Sequence, residues 1–212
     1  MTETRPRAPR KDVARNRQRL LDAGREVFAR DGLDATLDDV ARHAGIGAGT
    51  AYRHFGSRQG LVVAIFSDAA QTFTLDAREA LTSDDPWDGL VTFVETFAGR
   101  QAADRGLHQL FTGDHAGLLA PEDWSDLLTA MAAVFDRAQA AGAVRADVAL
   151  SDVVGLLATL GPVYDLSAAS STPIWRRYVD LFLRAVRTDA PGSVITTPPA
   201  LATPVIAAAM ST

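Results

Sequence analysis

The chain has 212 residues, no cysteine, 7% aromatic residues and a net charge of −5. Without cysteine it makes neither disulfides nor thiolate metal sites, which leaves the cytoplasm as the default location. No run of 18 apolar residues is present, which argues against a membrane span, and the arginine-rich start has no apolar segment behind it, so a secretory signal is not expected.

The acidic total conceals a split. Residues 1–60 hold 12 Lys+Arg against 8 Asp+Glu, giving +4, whereas residues 61–212 hold 9 against 18, giving −9. A basic N-terminal module on an acidic body suits a nucleic-acid-binding head whose other domain avoids phosphates.

Residues 1–12 are polar, carry two prolines and lack periodicity, so they are expected to form a flexible basic arm. A first helix is predicted from about Val13 to Arg30, with Leu20, Leu21, Gly24, Val27 and Phe28 on one face and Gly32 as its C-terminal stop. In TLDDVARHAGIGAGTAYRHFGSR, residues 36–58, Leu37, Val40, Ala41 and Ala44 recur at i, i+3, i+4 and i+7. Thr36 is the expected N-cap of this second helix, with Asp39 completing a capping box. Gly45 breaks it, Ile46 fills the turn, and Ala51, Tyr52 and Phe55 form the apolar side of a third helix. Two short helices about a glycine turn, the second free to enter a major groove, make a helix-turn-helix. The run Gly45 to Thr50 looks superficially like a phosphate-binding loop, but no strand precedes it.

Ser57 is expected to cap a long fourth helix from Arg58 to about Leu81. Pro86 opens the next, with Trp87, Leu90, Phe93, Val94 and Phe97 apolar. A short helix near 106–111, a glycine-containing loop, and a helix from Pro121 to near Gly142 follow. The last two are read as Asp147 to Ser167, kinked at Pro162, and Pro173 to Arg187. Both carry apolar residues on more than one side and so must bury more than one side. Residues 189–212, with four prolines and Asp189 as the sole charge, are expected to be a disordered tail. His108 and His115 stand seven residues apart and are open to three readings: pocket or helix-end groups, plain surface, or a metal pair. Acidic pairs fall at helix starts, where the dipole explains them, and no nucleophile–base pair or cofactor loop emerges, so no enzyme and no cofactor are expected.

The 36–58 stretch resembles, nearly position for position, the DNA-binding signature of TetR-type transcriptional repressors, with Gly49, Thr50, Tyr52, His54, Phe55 and Arg58 at the matching places. AGAVRADV, SDVVGLL and IWRRYVDLFLRAV are similar to C-terminal segments of one subgroup of that family, whose dimers form through a four-helix bundle. The resemblance implies an all-α protein, with a three-helix DNA-binding head at 13–57 and a helical ligand-binding and dimerisation body at 58–188. It implies phosphate contacts for Thr36, Thr50, Tyr52, His54 and Arg58, with the Tyr52 ring packed and its hydroxyl outward. Gly47, Ala48, Gly49 and Arg53 stand where bases are read, although Arg53 is equally suited to solvent or phosphate. Where many members have Ser and a polar residue this chain has Gly47 and Ala48, so direct readout is expected to be sparse, with Arg5, Arg7 and Arg10, or Arg15 and Arg17, compensating from the minor groove.

The implied partners are a palindromic double-stranded operator, a second copy of the chain, and a small, mainly apolar or aromatic effector; no membrane is involved. Candidate pocket residues, between the fourth and eighth helices, are Phe66, Phe73, Phe93, Phe97, Phe111, Trp124, Met131 and Tyr164. Candidate dimer residues are Val153, Leu157, Leu160, Tyr164, Trp175, Tyr178 and Phe182. The function expected is an effector-released repressor; the alternative is a dimeric DNA-binding repressor or architectural protein without an effector.

Overall fold

The computed structural model describes residues 10–110 and 121–189. Ten helices occur among them: α1 (Arg10–Asp31), α2 (Leu37–His43), α3 (Ala48–Phe55), α4 (Arg58–Ala80), α5 (Pro86–Ala103), α6 (Arg105–Leu110), α7 (Pro121–Ala140), α8 (Leu150–Thr159), α9 (Gly161–Ser170) and α10 (Ile174–Val186). The only β pairing among the described residues is an isolated bridge between Val144 and Arg187. The protein is all-α, as the sequence predicts. The expected tail, apart from Asp189, and the loop with Gly113 and Gly117 lie outside the described residues.

The ends of the first helices follow from local chemistry. α1 begins at Arg10, three residues before the expected boundary, because Asp12 supplies a carboxylate to its first turn and pairs with Arg15 at 2.7 Å. Gly32 ends it at φ 81° and Gly45 ends α2 at φ 63°, left-handed values that cost a residue with a Cβ. Thr36 Oγ1 accepts from the Asp39 amide at 3.1 Å while Asp39 Oδ2 accepts from the Thr36 amide at 3.1 Å, the reciprocal box expected. Donation from the Thr36 hydroxyl to Asp39 Oδ2, with the Thr36 amide and the Arg42 guanidinium adding to it, holds the Asp39 carboxyl below its ordinary pKa. Ser57 Oγ accepts from the Gly60 amide at 3.1 Å and starts α4.

Leu20, Val27, Leu37, Val40, Ala41 and Ala51 form the core of the head, α1 to α3. The head is continuous with the body through α4 and α6. Arg25 of α1 meets Asp68 of α4 at 2.6 Å. Gln109 of α6 accepts from the Leu33 amide at 2.7 Å, and the Arg58 guanidinium donates to the Leu33 carbonyl. Both polar groups of the Leu33 peptide are therefore held by side chains from outside the α1–α2 loop.

In the body, α4, α5 and α7 enclose an aromatic core in which Phe73 stacks on Phe97 at 4.0 Å and Phe93 meets Phe97 edge-on at 5.9 Å. The expected single helix 147–167 is two helices. Pro162 has no amide hydrogen to continue the ladder, and α8 and α9 meet at a 43° bend. No single described helix is long and apolar enough to cross a membrane; the bent pair is so only when taken together.

Candidate nucleic-acid interface

α3 is positioned from the turn that precedes it. The Ile46 amide donates to the Ala41 carbonyl at 2.9 Å and closes the turn, and Arg19 of α1 donates to the Ala44 carbonyl at 2.6 Å. Ala51 faces inward and is fully buried. At the other face, Gly47, Ala48 and Gly49 are exposed, and a Cβ placed on Gly47 or Gly49 would meet nothing within 4 Å. Gly47 offers no side-chain cap, so the amides at the α3 N-terminus have no side chain over them. The result is a smooth, open helix start with a positive dipole end, able to approach a groove closely and suited to an anionic oxygen.

The polar residues around it divide into free and engaged. Tyr52 is 47% exposed, so its ring is not packed as expected; Ala51 and the half-buried Phe55 supply the apolar contact instead. The ring thus projects with its hydroxyl. His54 is half-buried beside Phe55, with ring centroids 6.2 Å apart. Arg53 folds back on its own helix, donating to Thr50 Oγ1 at 2.8 Å and to the Gly49 carbonyl at 3.2 Å. The exposed Thr36 hydroxyl donates to Asp39 Oδ2 at 2.6 Å. Arg58 is turned inward to Leu33, which makes it a residue that holds the head in place. Arg17 lies over the Phe55 ring at 5.4 Å. Arg5 and Arg7 lie outside the described residues, and Arg10 is the first residue of α1.

In the body, the expected aromatic set separates. Phe97, Trp124 and Met131 line one small cavity with Gln101, Val154, Leu157 and Ala158, contributed by α5, α7 and α8. Phe66, Phe73 and Phe93 do not reach it; each is at most 2% exposed in the core of α4 and α5. Helical spacing reports burial without reporting what the residue faces. Tyr164 donates to Gln101 Oε1 at 3.0 Å, and burial raises its pKa, so the phenol keeps its proton. Phe111 and His115 lie outside the described residues. His108 is buried against Tyr164, with centroids 5.6 Å apart, and burial lowers its pKa. No group of three potential ligands for a metal occurs among the described residues.

The expected dimer residues also divide. Val153, Leu157, Leu160, Tyr164 and Trp175 are buried inside the protomer and are not available to a partner. Tyr178 at 46%, Leu181 at 51% and Leu166 at 53% exposure form, with half-buried Ile174 and Phe182, an outer apolar face on α9 and α10. On α10, positions 174, 178, 181 and 182 make a stripe beside the inward one of Trp175, Val179, Leu183 and Val186. Leu181 is one of the apolar positions that the sequence pattern already spreads over more than one side of α10, whereas Leu166, Gln101 and the Leu33 junction carry no readable signal in the sequence.

A family model described as bacterial regulatory proteins, tetR family, matches residues 20–65, and one described as the C-terminal domain of SbtR-like transcriptional regulators matches residues 85–188. The chain is similar to the crystal structure of the TetR transcription regulatory protein from Mycobacterium vanbaalenii, with 34% identity, a TM-score of 0.58, and coverage of 84% of this chain and 98% of that one. A TetR transcriptional regulator from Streptomyces coelicolor is 29% identical at a TM-score of 0.56, over 82% of this chain and 99% of that one. Among curated relatives, the uncharacterized HTH-type transcriptional regulator TtgW of Pseudomonas putida is 35% identical over 81 residues, which is 38% of this chain and 60% of that protein's length.

Proposed function

The chain belongs to the TetR family of bacterial regulatory proteins, and from that membership we propose that it is a homodimeric repressor released from a palindromic operator by a small molecule. The observation that carries the DNA-binding half is the bare, exposed start of α3, next to α2 and α4 whose starts are capped by Thr36 and Ser57. Thr50, Tyr52 and His54 would meet phosphates, while Gly47, Ala48 and Gly49 lie against base edges and offer little beyond close approach and a methyl contact. Arg53 must leave Thr50 before it reaches DNA, and Thr36 must leave Asp39. Arg5, Arg7, Arg10, Arg15 and Arg17 supply the remaining attraction and A·T preference. Arg58 positions the head.

The outer face of α9 and α10 joins two copies, and two-fold symmetry then requires an inverted repeat. An effector among α5, α7 and α8 would favour a head separation that cannot span both half-sites, so operator affinity falls through differential binding to two states. The protein acts where operator DNA is, in the cytoplasm, as a regulator and not as an enzyme. The narrowness of the body cavity favours one rival, a dimeric repressor or architectural protein without an effector.

Selection of duplexes from a random pool tests the DNA-binding reading. An inverted repeat with half-sites separated by whole helical turns is expected; enrichment of no sequence, or of asymmetric sites only, would refute it. If a dimer meets about eight phosphates, log affinity should fall with log salt at a slope near −7.

A further inference from the structure

Resting on the reading of the body as an effector site, we propose that its ligand is a compact, uncharged molecule with an apolar or aromatic frame and one carbonyl-type oxygen, which accepts a hydrogen bond from the Gln101 carboxamide. Gln101 lies on α5 and is only 1% exposed. Its Oε1 is taken by the Tyr164 hydroxyl at 3.0 Å, which turns Nε2 the other way. Nε2 is buried, and no hydrogen-bond acceptor reaches it among the described residues. A buried amide donor without a partner forfeits its hydration with nothing in return, so such groups are rare and call for an explanation.

The cavity beside it supplies one. Gln101 shares its walls with Phe97, Trp124, Met131, Val154 and Leu157, and among the described residues no charged side chain lines it. An ionic ligand would lose its hydration without finding a counter-ion, which selects against carboxylates and amines. A purely hydrocarbon ligand would leave Nε2 as unmatched as before. The cavity volume as formed is only about 10 Å³. Entry therefore requires side chains to move, and Met131, an unbranched thioether, is the one that repacks most readily. Tyr164 makes the selection directional. It stays protonated and keeps donating to Oε1, so the carboxamide presents N–H to the cavity and favours acceptors over donors.

The test is calorimetric titration of the full-length dimer with acetophenone, its hydrocarbon isostere α-methylstyrene, and benzoate. Acetophenone should bind at least about tenfold more tightly than α-methylstyrene. Benzoate should show no binding up to about 1 mM. Gln101→Leu should bring the two neutral probes to within about twofold of each other. Tyr164→Phe, which frees the carboxamide to turn over, should weaken the acetophenone preference. In the wild-type protein, where no variant need fold, saturation with acetophenone should move the Gln101 side-chain amide protons further downfield than saturation with α-methylstyrene, because only the ketone accepts their hydrogen bond. Equal affinity of the neutral probes in wild type, a preference that survives in Gln101→Leu, or no binding of any of the three would overturn the proposal. Operator selection on the ligand-free protein separates the two readings: its failure removes the regulatory reading while leaving the Gln101 preference standing, and the converse result removes only the ligand chemistry.

Discussion

In the head, geometry is set by side chains acting on backbone over a few residues: Thr36 and Asp39 at one helix start, Ser57 at another, glycines at two ends. In the body, geometry is set by rings meeting across the chain, Phe73 on Phe97, Tyr164 against His108 and Trp175. The head thus leaves its functional helix bare and relies on many small polar contributions. The body spends its large side chains inward and still has an apolar stripe left over on α10. A region built from caps should lose stability in small steps, whereas one built from stacked rings should fail at single positions.

The sharpest break of that contrast comes from Phe73→Ala, which should cost about 3–5 kcal/mol by chemical denaturation because a fully buried ring leaves a cavity behind. Next in size, Tyr178→Glu with Leu181→Glu places charge on the outer stripe of α10 and leaves the protomer core untouched. Sedimentation should show the dimer dissociation constant rising at least about a hundredfold, roughly 2.7 kcal/mol, with unchanged helicity. Deleting residues 1–9 should leave folding and dimerisation as they are and weaken operator binding at least about tenfold, roughly 1.4 kcal/mol. Unchanged affinity in fluorescence anisotropy would return all recognition to α3.

Thr36→Ala removes one cap of the head and should cost only about 1 kcal/mol, read from the denaturation midpoint. The smallest effect is one of pH. Burial lowers the folded-state pKa of His108 below the ordinary 6.5, with Asp165 and Asp104 opposing the shift and Arg105 adding to it. The unfolded chain therefore takes up this proton first as pH falls, so the associated stability is present above about pH 6.5 and is lost as pH drops through the lowered folded value. His108→Gln should flatten urea midpoints across that window. Asp104, whose pKa burial raises, shifts stability the opposite way in the carboxylate range.

The same contrast explains what could be read from the sequence. The capping box, the glycine turn and the helix-turn-helix depend on neighbours three to nine residues apart, and each stands where the pattern placed it. The pairs that give the candidate sites their character are distant: Tyr164 with Gln101 is 63 residues apart, Gln109 with Leu33 is 76, and Arg58 with Leu33 is 25. Apolar periodicity marks Trp175 and Tyr178 alike, yet one faces the protomer core and the other solvent. Gln101 reads in sequence as an ordinary polar position on an amphipathic helix, and only the arrival of Tyr164 reveals it as buried. Arg58 matches the family signature in sequence, but its guanidinium points at a carbonyl of its own chain.

The central claim is that two bare α3 helices act together through the α9 and α10 faces of two protomers. Titration of the selected palindrome and of its isolated half-site, with the stoichiometry read by sedimentation, tests it directly. The account predicts two protomers on the palindrome and a half-site affinity lower by at least about a hundredfold. A single protomer binding one half-site as tightly as the dimer binds the palindrome would contradict it.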